Sequence, residues 1–204
     1  MRGKFITLEG IDGAGKSTHL RWIARFLRRR GIRLTLTREP GGTAAGEQLR
    51  RLVLGSRRGL HPETETLLMF AARREHLDKV IVPALKAGRW VLCDRFTDAT
   101  YAYQSAGSGV HWSKVGALER WVQAGLQPDL TLLFDVSPAT GRKRARRRAG
   151  TDRFEREKGS YHRRVRAAYL KRAGEHPRRV RVIDAAGSIA EVNKILERIL
   201  LSYC

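Results

Sequence analysis

The chain has 204 residues, of which 41 are lysine or arginine and 20 are aspartate or glutamate, so its formal net charge is +21. Its hydrophobic fraction of 42% is ordinary for a globular protein, and the absence of any apolar run of about 18 residues excludes a transmembrane helix. Cys93 and Cys204 are the only cysteines, which excludes a disulfide framework and favours a reducing, cytoplasmic location.

The positive charge makes nucleic acid a partner to consider. The charge is spread over several predicted helices, however, with one dense run at 142–148. A basic, solvated surface is the plainer interpretation, and a small anionic ligand would explain the local clusters. We therefore do not expect a nucleic-acid partner.

The first predicted elements enclose a phosphate-binding motif. An apolar strand at 5–8 leads into GIDGAGKST at 10–18, and a helical pattern from about 15 to 30 follows. This stretch matches G-x-x-x-x-G-K-[ST], in which backbone N–H groups surround a phosphate. Lys16 can reach the β- and γ-phosphates, and the Ser17 hydroxyl can bind Mg²⁺. The alternative is a glycine turn with only a structural role.

The remaining elements alternate along the chain. Further strands are predicted at 32–38, 90–93, 130–134 and 180–183, and helices at about 44–54, 63–87, 97–106, 113–124, 137–150, 153–174 and 188–201. This alternation predicts an α/β fold in one domain over 1–204, with a five-stranded parallel sheet covered by helices on both faces. The basic segment at about 142–156 is predicted to be a lid.

Polar residues gather where the predicted strands end, which is where such sheets bind ligands. Arg38 and Arg95 can bind a second anion opposite the phosphate loop, because the arginine fork suits phosphate oxygens. Asp94 follows an apolar strand and can hold Mg²⁺ through water. These residues together predict a phosphotransferase with two phosphate sites, using ATP and Mg²⁺.

Six motifs in order identify a family. They are GIDGAGKST at 10–18, TREPGGT at 37–43, LLMFAARREHL at 67–77, CDRFTDATYAYQ at 93–104, QPDLTLLFDV at 127–136 and DRFE at 152–155. With them the chain closely resembles the bacterial thymidylate kinases. The resemblance implies a nucleoside monophosphate kinase fold and transfer of the γ-phosphoryl group of ATP to dTMP in dTTP synthesis. It also implies a homodimer formed through helices beside the sheet, for which the 63–87 helix is apolar enough.

The resemblance also implies residue roles. Asp12 would bond the 3′-hydroxyl of the acceptor sugar, Arg38 and Arg95 would bind the dTMP phosphate, and Lys16 and Arg95 would act in catalysis. Ser17 and Asp94 would hold Mg²⁺. The ATP-binding residues would be Gly10, Asp12, Gly13, Ala14, Gly15, Lys16, Ser17 and Thr18.

The same resemblance predicts the base site. Phe70 would stack on thymine, and Arg74, four residues later on the same helix face, would bond the base carbonyl O4. Thr100 and Gln104 would lie near the base edge, and Tyr103 would pack against the deoxyribose. Phe70 could instead belong to the core and Tyr103 to a helix surface, and Arg73 competes for the role of Arg74.

Two subclasses of the family place the catalytic arginine differently, in the phosphate loop or in the lid. Gly13 occupies the loop position here, so the chain resembles the bacterial type with an arginine-rich lid. Arg148 and Arg153 are the predicted lid catalysts, ahead of Arg144 and Arg146.

Three other functions are weighed. Another P-loop kinase of a nucleoside or nucleotide would share the loop and the sheet. A nucleic-acid-dependent ATPase or a GTPase is the second, although the N-K-x-D guanine motif of GTPases is absent from the sequence. The third is a scaffold with an inactive loop, which the intact Lys16 and Ser17 disfavour.

Overall fold

A computed structural model describes residues 2–56, 59–145 and 159–203. Within these ranges five strands form one parallel sheet in the order β2-β3-β1-β4-β5, which confirms the predicted sheet. The strands are β1 (Phe5–Glu9), β2 (Leu34–Arg38), β3 (Trp90–Asp94), β4 (Leu130–Asp135) and β5 (Val180–Asp184). Central β1 pairs with β3 and β4, so that Leu8 lies beside Asp94 and Leu132.

Helices connect the strands and cover both faces of the sheet. In the described ranges they are α1 (Lys16–Arg29), α2 (Ala44–Gly55), α3 (Pro62–His76), α4 (Val82–Lys86), α5 (Thr97–Thr100), α6 (Trp112–Gln123), α7 (Pro138–Ala145), α8 (Gly159–Glu175) and α9 (Ile189–Leu201). None of these helices is long and apolar enough to cross a membrane.

The helix predicted at 63–87 is interrupted by a π-helical segment, Leu77–Ile81, between α3 and α4. Pro83 has no N–H to donate, and its ring crowds the carbonyl four residues earlier, so a regular α-helix cannot pass through it unchanged. The wider turn lies directly before this proline, and the Val82 N–H bonds the Leu77 carbonyl. A second π-helical segment, Tyr101–Gly107, follows α5 within the helix predicted at 97–106.

The core has two parts, one on each face of the sheet. Alternate residues of a strand point to opposite faces. Ile6 and Leu8 accordingly join the larger cluster, whereas Phe5 joins the cluster that contains Phe70 and Phe96. Since β1 is buried on both faces, its residues form a nearly continuous apolar run.

Part of the predicted lid is described. Within the helix predicted at 137–150, α7 is described over Pro138–Ala145, and the next helix is described from Gly159. Most of the segment predicted at 142–156 therefore lies outside the described residues.

Candidate active site

The loop between β1 and α1 requires glycine at two close approaches. Gly10 and Gly13 have φ angles of 134° and 78°, which side-chain-bearing residues rarely adopt. A Cβ on Gly13 would lie 2.0 Å from the carbonyl oxygen of Gly141 in α7, and one on Gly10 would lie 2.4 Å from the Phe134 carbonyl oxygen. No acidic residue stands in the first turn of α1, so its N–H groups and positive dipole end suit an anion.

Lys16 is buried at the start of α1, and its ammonium lies against the loop. Nζ donates to the carbonyl oxygens of Gly10, at 2.9 Å, and Ile11, at 3.1 Å. Burial and the nearby Arg95 guanidinium lower the pKa of Lys16, while the Asp12 carboxylate acts in the opposite direction. A phosphate at this loop would supply the negative charge that these neutral carbonyls do not.

A cavity of about 190 Å³ opens beside this loop at the carboxyl ends of β1, β2 and β3. It brings together predicted residues that are far apart in the sequence, namely Asp12, Gly13, Gly15, Lys16, Ser17, Arg38, Asp94, Arg95, Thr100, Tyr103 and Gln104. Gly10, Ala14 and Thr18 belong to the loop but do not line the cavity. The sheet edge was therefore the right place to expect a site.

Arg95 occupies the centre of the site in an unusual backbone conformation. Its φ angle is 70°, a left-handed value that costs a non-glycine residue about 1–2 kcal/mol. Nη1 donates to the Gly10 carbonyl oxygen at 3.2 Å and to the Tyr169 hydroxyl at 3.1 Å, and Nη2 donates to Asp12 Oδ1. These contacts hold the guanidinium beside the phosphate loop, and strain of this kind is typical of functional positions.

Asp12 is fixed between two partners. Besides Arg95, the Tyr103 hydroxyl donates to its Oδ2 at 3.0 Å, and the Tyr103 ring lies 4.6 Å from the Arg95 guanidinium carbon. Burial opposes ionisation of Asp12, but Arg95 and Lys16 outweigh it and lower the pKa of this carboxyl. Asp12 is therefore an ionised hydrogen-bond acceptor at the cavity wall.

Glu9 and Tyr169, which the sequence analysis missed, form a chain of hydrogen bonds that holds the Arg95 guanidinium. The Tyr169 hydroxyl accepts from Arg95 and donates to Glu9 Oε2 at 2.9 Å, and the Phe96 N–H donates to Glu9 Oε1 at 2.6 Å. Burial, with repulsion from Asp98, raises the pKa of Glu9 from its ordinary 4.5 to about 8, although Arg95 acts against this rise.

This raised pKa predicts how stability depends on pH. Because folded Glu9 keeps its proton where the unfolded chain has released it, its contribution to stability is complete below pH 4.5 and declines as the pH rises to about 8. In Glu9→Gln this contribution to the decline should vanish, so the slopes of the two stability profiles should differ by up to about 1.4 kcal/mol per pH unit. Urea unfolding at several pH values measures it, with Glu197→Gln, exposed on α9, as control. Parallel stability profiles for Glu9→Gln and the unmodified protein would contradict the raised pKa.

The predicted placement of Phe70 and Arg74 at the cavity is wrong. Phe70 is buried in the core cluster, and Arg74 is half-exposed and donates to the Val122 carbonyl oxygen at 3.0 Å. Met69 and Arg73, the preceding pair at the same four-residue spacing, line the cavity instead. Consecutive helical residues differ by 100° in direction, so the pattern alone could not decide between the two pairs.

Arg73 belongs to a buried network at the cavity wall. Nε donates to Glu39 Oε2 at 2.8 Å and Nη2 donates to Thr100 Oγ1 at 3.1 Å, whereas Nη1 is buried without a partner among the described residues. The Phe70 and Phe96 rings lie 4.6 and 5.0 Å from its guanidinium carbon. A buried guanidinium nitrogen without an acceptor points to a ligand atom.

The sequence analysis also missed other residues that line the cavity, which come from the loop after β2, from α2 and from the segment after β3. They are Glu39, Pro40, Arg50, Leu54, Phe96 and Ala99. Four of them, Glu39, Pro40, Phe96 and Ala99, lie in the motifs TREPGGT and CDRFTDATYAYQ, so these motifs already marked segments that line the cavity. The Glu39–Pro40 peptide bond is cis.

Three residues predicted to bind an anion or Mg²⁺ have atoms that are exposed or that lack a partner within the described residues. Arg38 is half-exposed, and its Nη2 bonds both carboxylate oxygens of Glu47, at 3.0 and 3.1 Å. Oδ1 of Asp94 is buried and has no partner within the described residues, and Ser17 lies exposed on the same cavity.

The predicted lid catalysts cannot be placed. Arg148 and Arg153, and the less favoured Arg146, lie outside the described residues. Arg144 is described, and it donates to the carbonyl oxygens of Ala185, at 2.7 Å, and Ala186, at 2.9 Å. In this structure Arg144 therefore ties α7 to the segment after β5.

Comparisons with known proteins identify the family of the chain. The family profile described as thymidylate kinase matches residues 8–195. The chain is 60% identical to a thymidylate kinase of Nitrosospira multiformis, over 97% of each chain, and 59% identical to one of Nitrosomonas europaea, over 99% of this chain and 94% of the relative. It is similar to the crystal structure of a thymidylate kinase from Ehrlichia chaffeensis, with a TM-score of 0.81 and 34% identity over 98% of this chain and 99% of the other.

Proposed function

The chain belongs to the thymidylate kinase family, and we propose that it transfers the γ-phosphoryl group of ATP to dTMP, forming dTDP and ADP for dTTP synthesis. The observation that carries this proposal is the shared cavity, in which the phosphate loop faces Arg73 and Arg95. Such a transfer needs two phosphates held end to end with their charge neutralised. The cavity has cations on both sides to do so.

The donor phosphates would lie on the loop. Backbone N–H groups at the start of α1 and the Lys16 ammonium would bind the β- and γ-phosphates. Lys16 would exchange its contacts with the carbonyls of Gly10 and Ile11 for phosphate oxygens. Its buried position means that little water competes for the ammonium, so its attraction to developing negative charge is strengthened.

The acceptor would lie across the cavity. Arg95, and Arg38 at the end of β2, would bind its phosphate, and Asp12 would accept a hydrogen bond from the 3′-hydroxyl while Tyr103 packs against the sugar. At the base, we assign to Arg73 the O4 contact first predicted for Arg74, and to Met69 the base-facing position first predicted for Phe70. Thr100 and Gln104 would line the base edge.

Mg²⁺ fits the donor set at the loop. The described residues contain no group of three or more metal-binding side chains, but Mg²⁺ in kinases is held by one or two protein oxygens together with substrate phosphates. The unpartnered Asp94 Oδ1 and the Ser17 hydroxyl would supply these oxygens. When bound, the ion would neutralise charge on the transferring phosphoryl group.

The lid and the dimer extend the proposal. Arg148 and Arg153 would add cations over the transferring group and exclude water.

A homodimer is supported by large apolar side chains exposed on the helices beside the sheet. They are Leu67 on α3, which is 54% exposed, and Trp121 on α6, which is 80% exposed. Sedimentation velocity would detect it, and a monomer at micromolar concentration would reject it. A cytoplasmic location stays a prediction.

A panel of acceptors tests the function. ADP release from ATP is measured with dTMP, dUMP, dCMP, dGMP and dAMP, with and without Mg²⁺. We expect dTMP to give the highest kcat/KM and the reaction to require Mg²⁺. Preference for another acceptor would favour a different P-loop nucleotide kinase, and DNA-stimulated ATP hydrolysis without any acceptor would favour a nucleic-acid-dependent ATPase.

A further inference from the structure

We propose that His76 is a positioning residue that sets the acceptor-base preference of the enzyme, by holding Glu39 so that Arg73 keeps a donor nitrogen for the base. The inference rests on the proposed function, because it assumes that the acceptor base lies beside Arg73. It concerns a residue that has no atom at the cavity wall and acts only through its neighbours.

His76 is completely buried at the end of α3, between two side chains from the β2 end of the sheet. Its Nδ1 lies 3.0 Å from Glu39 Oε1, and its Nε2 lies 2.6 Å from Thr37 Oγ1. Because an ionised carboxylate only accepts hydrogen bonds, Nδ1 carries a proton and donates it. Both ring nitrogens are therefore occupied, and the imidazole cannot rotate without breaking a buried hydrogen bond.

The consequence for Glu39 is that its two carboxylate oxygens are directed to two different partners. A carboxylate with both oxygens free pairs with arginine through two parallel hydrogen bonds. Here His76 takes Oε1, and Oε2 alone accepts from Arg73 Nε. Nη2 stays with Thr100, and Nη1 stays without a partner among the described residues. His76 thus prevents the carboxylate from turning onto the guanidinium and changing its orientation.

The fit of the ring against the neighbouring loop supports this role. A Cβ on Gly42 would lie 2.6 Å from the His76 ring and 2.8 Å from Thr37 Oγ1, so glycine is needed for the imidazole to pack there. Glu39 and Pro40 precede this glycine and line the cavity. The ring therefore fixes a loop and an arginine that meet at the same wall.

The chemistry of the base explains why orientation matters. A guanidinium N–H held in a fixed direction can donate to a carbonyl oxygen at position 4 of a pyrimidine. It disfavours an amino group there, because two hydrogen-bond donors would face each other. An arginine that can turn loses part of this discrimination. We therefore infer that His76 sharpens the preference for dTMP over dCMP.

Steady-state kinetics of His76→Phe test the inference, since phenylalanine keeps a ring but has no hydrogen bond to give. Losing the fixed geometry of one charged hydrogen bond should raise the KM for dTMP about 10-fold and lower the dTMP-to-dCMP ratio of kcat/KM about 10-fold, with kcat within about threefold. The KM for ATP should not change. His76→Asn, whose amide can replace the Nδ1 donor, should recover part of the preference.

If His76→Phe does not fold, a second variant still tests the inference, and a third serves as its control. Thr37→Val removes only the Nε2 partner and should shift the KM and the preference in the same direction by less. His61→Phe, at the exposed start of α3, is the matched histidine control and should leave both unchanged.

Arg73→Gln distinguishes failure of the proposed acceptor site from failure of the positioning role of His76. If Arg73→Gln changes neither the KM for dTMP nor the preference, the acceptor site itself is misplaced. If Arg73→Gln changes both while the variants of His76 and Thr37 change neither, the site stands and the positioning role of His76 is overturned.

Discussion

Replacing Lys16 by alanine should lower kcat by about 10²–10³-fold or more, the loss typical when a charge-stabilising donor is removed from a catalytic site. The ammonium is buried at the loop, so water cannot replace it at the transferring phosphoryl group as it could at an exposed position. The folded structure should survive, because within the described part of the chain Nζ bonds only the two loop carbonyls of Gly10 and Ile11.

Single-turnover phosphoryl transfer from ATP to dTMP measures this effect apart from product release. Lys86→Ala is the matched control, since Lys86 is exposed at the end of α4 and far from the cavity. Activity of Lys16→Ala within a few-fold of the unmodified protein would remove the phosphate loop from the mechanism, and with it the central proposal.

Replacing Arg95 by alanine should reduce kcat/KM for dTMP about 100-fold, through a higher KM and a lower kcat. The side chain contacts Asp12, Gly10 and Tyr169 at once, so its loss would remove the proposed phosphate ligand and also leave the Asp12 carboxylate without its ion-pair partner. Arg95→Lys should recover little, because an ammonium cannot make these divergent contacts together.

Arg95→Gly distinguishes the contribution of the Arg95 side chain from that of its left-handed backbone conformation. Glycine accepts the φ angle of 70° without strain, so Arg95→Gly should be about 1 kcal/mol more stable than Arg95→Ala, yet equally inactive. Thermal unfolding and the acceptor KM are measured in parallel. Recovery of activity in Arg95→Gly would mean that the backbone, and not the guanidinium, is what the site requires.

The sequence predicted the sheet and the loop because both depend on local signals. Apolar strands and a glycine-rich turn are read from neighbouring residues, and the order of the strands then brings Lys16, Arg38 and Arg95 to one edge. These residues did reach one cavity. The roles assigned to them remain for the kinetic experiments to test.

The choice between Arg73 and Arg74 could not be made from spacing, because each arginine has an apolar residue four positions earlier. In the structure Arg73 lines the cavity and Arg74 does not, and Glu39, which comes from another element, accepts a hydrogen bond from Arg73. If α3 were rotated by one residue, Phe70 and Arg74 would face the cavity with the same four-residue spacing. Only the contact with Glu39, made in the folded protein, excludes that arrangement.

Glu9 and Tyr169 were missed for a related reason. They are separated by 160 positions in the sequence and meet only when α8 packs beside β1. In the sequence Glu9 directly follows the strand predicted at 5–8, and Tyr169 is one aromatic residue in a basic predicted helix. Neither carries a motif of its own, so their support of Arg95 is visible only in three dimensions.

The close packing of Gly13 on Gly141 restricts how the loop could be redesigned. A methyl group at either position would collide with backbone of the other segment, at 2.0 Å from the Gly141 oxygen or 2.7 Å from the Asp12 oxygen. An arginine therefore cannot be introduced at position 13 by a single substitution, since α7 would first have to move away. A side chain at position 13 should therefore be tolerated only together with a change that moves the Gly141 backbone.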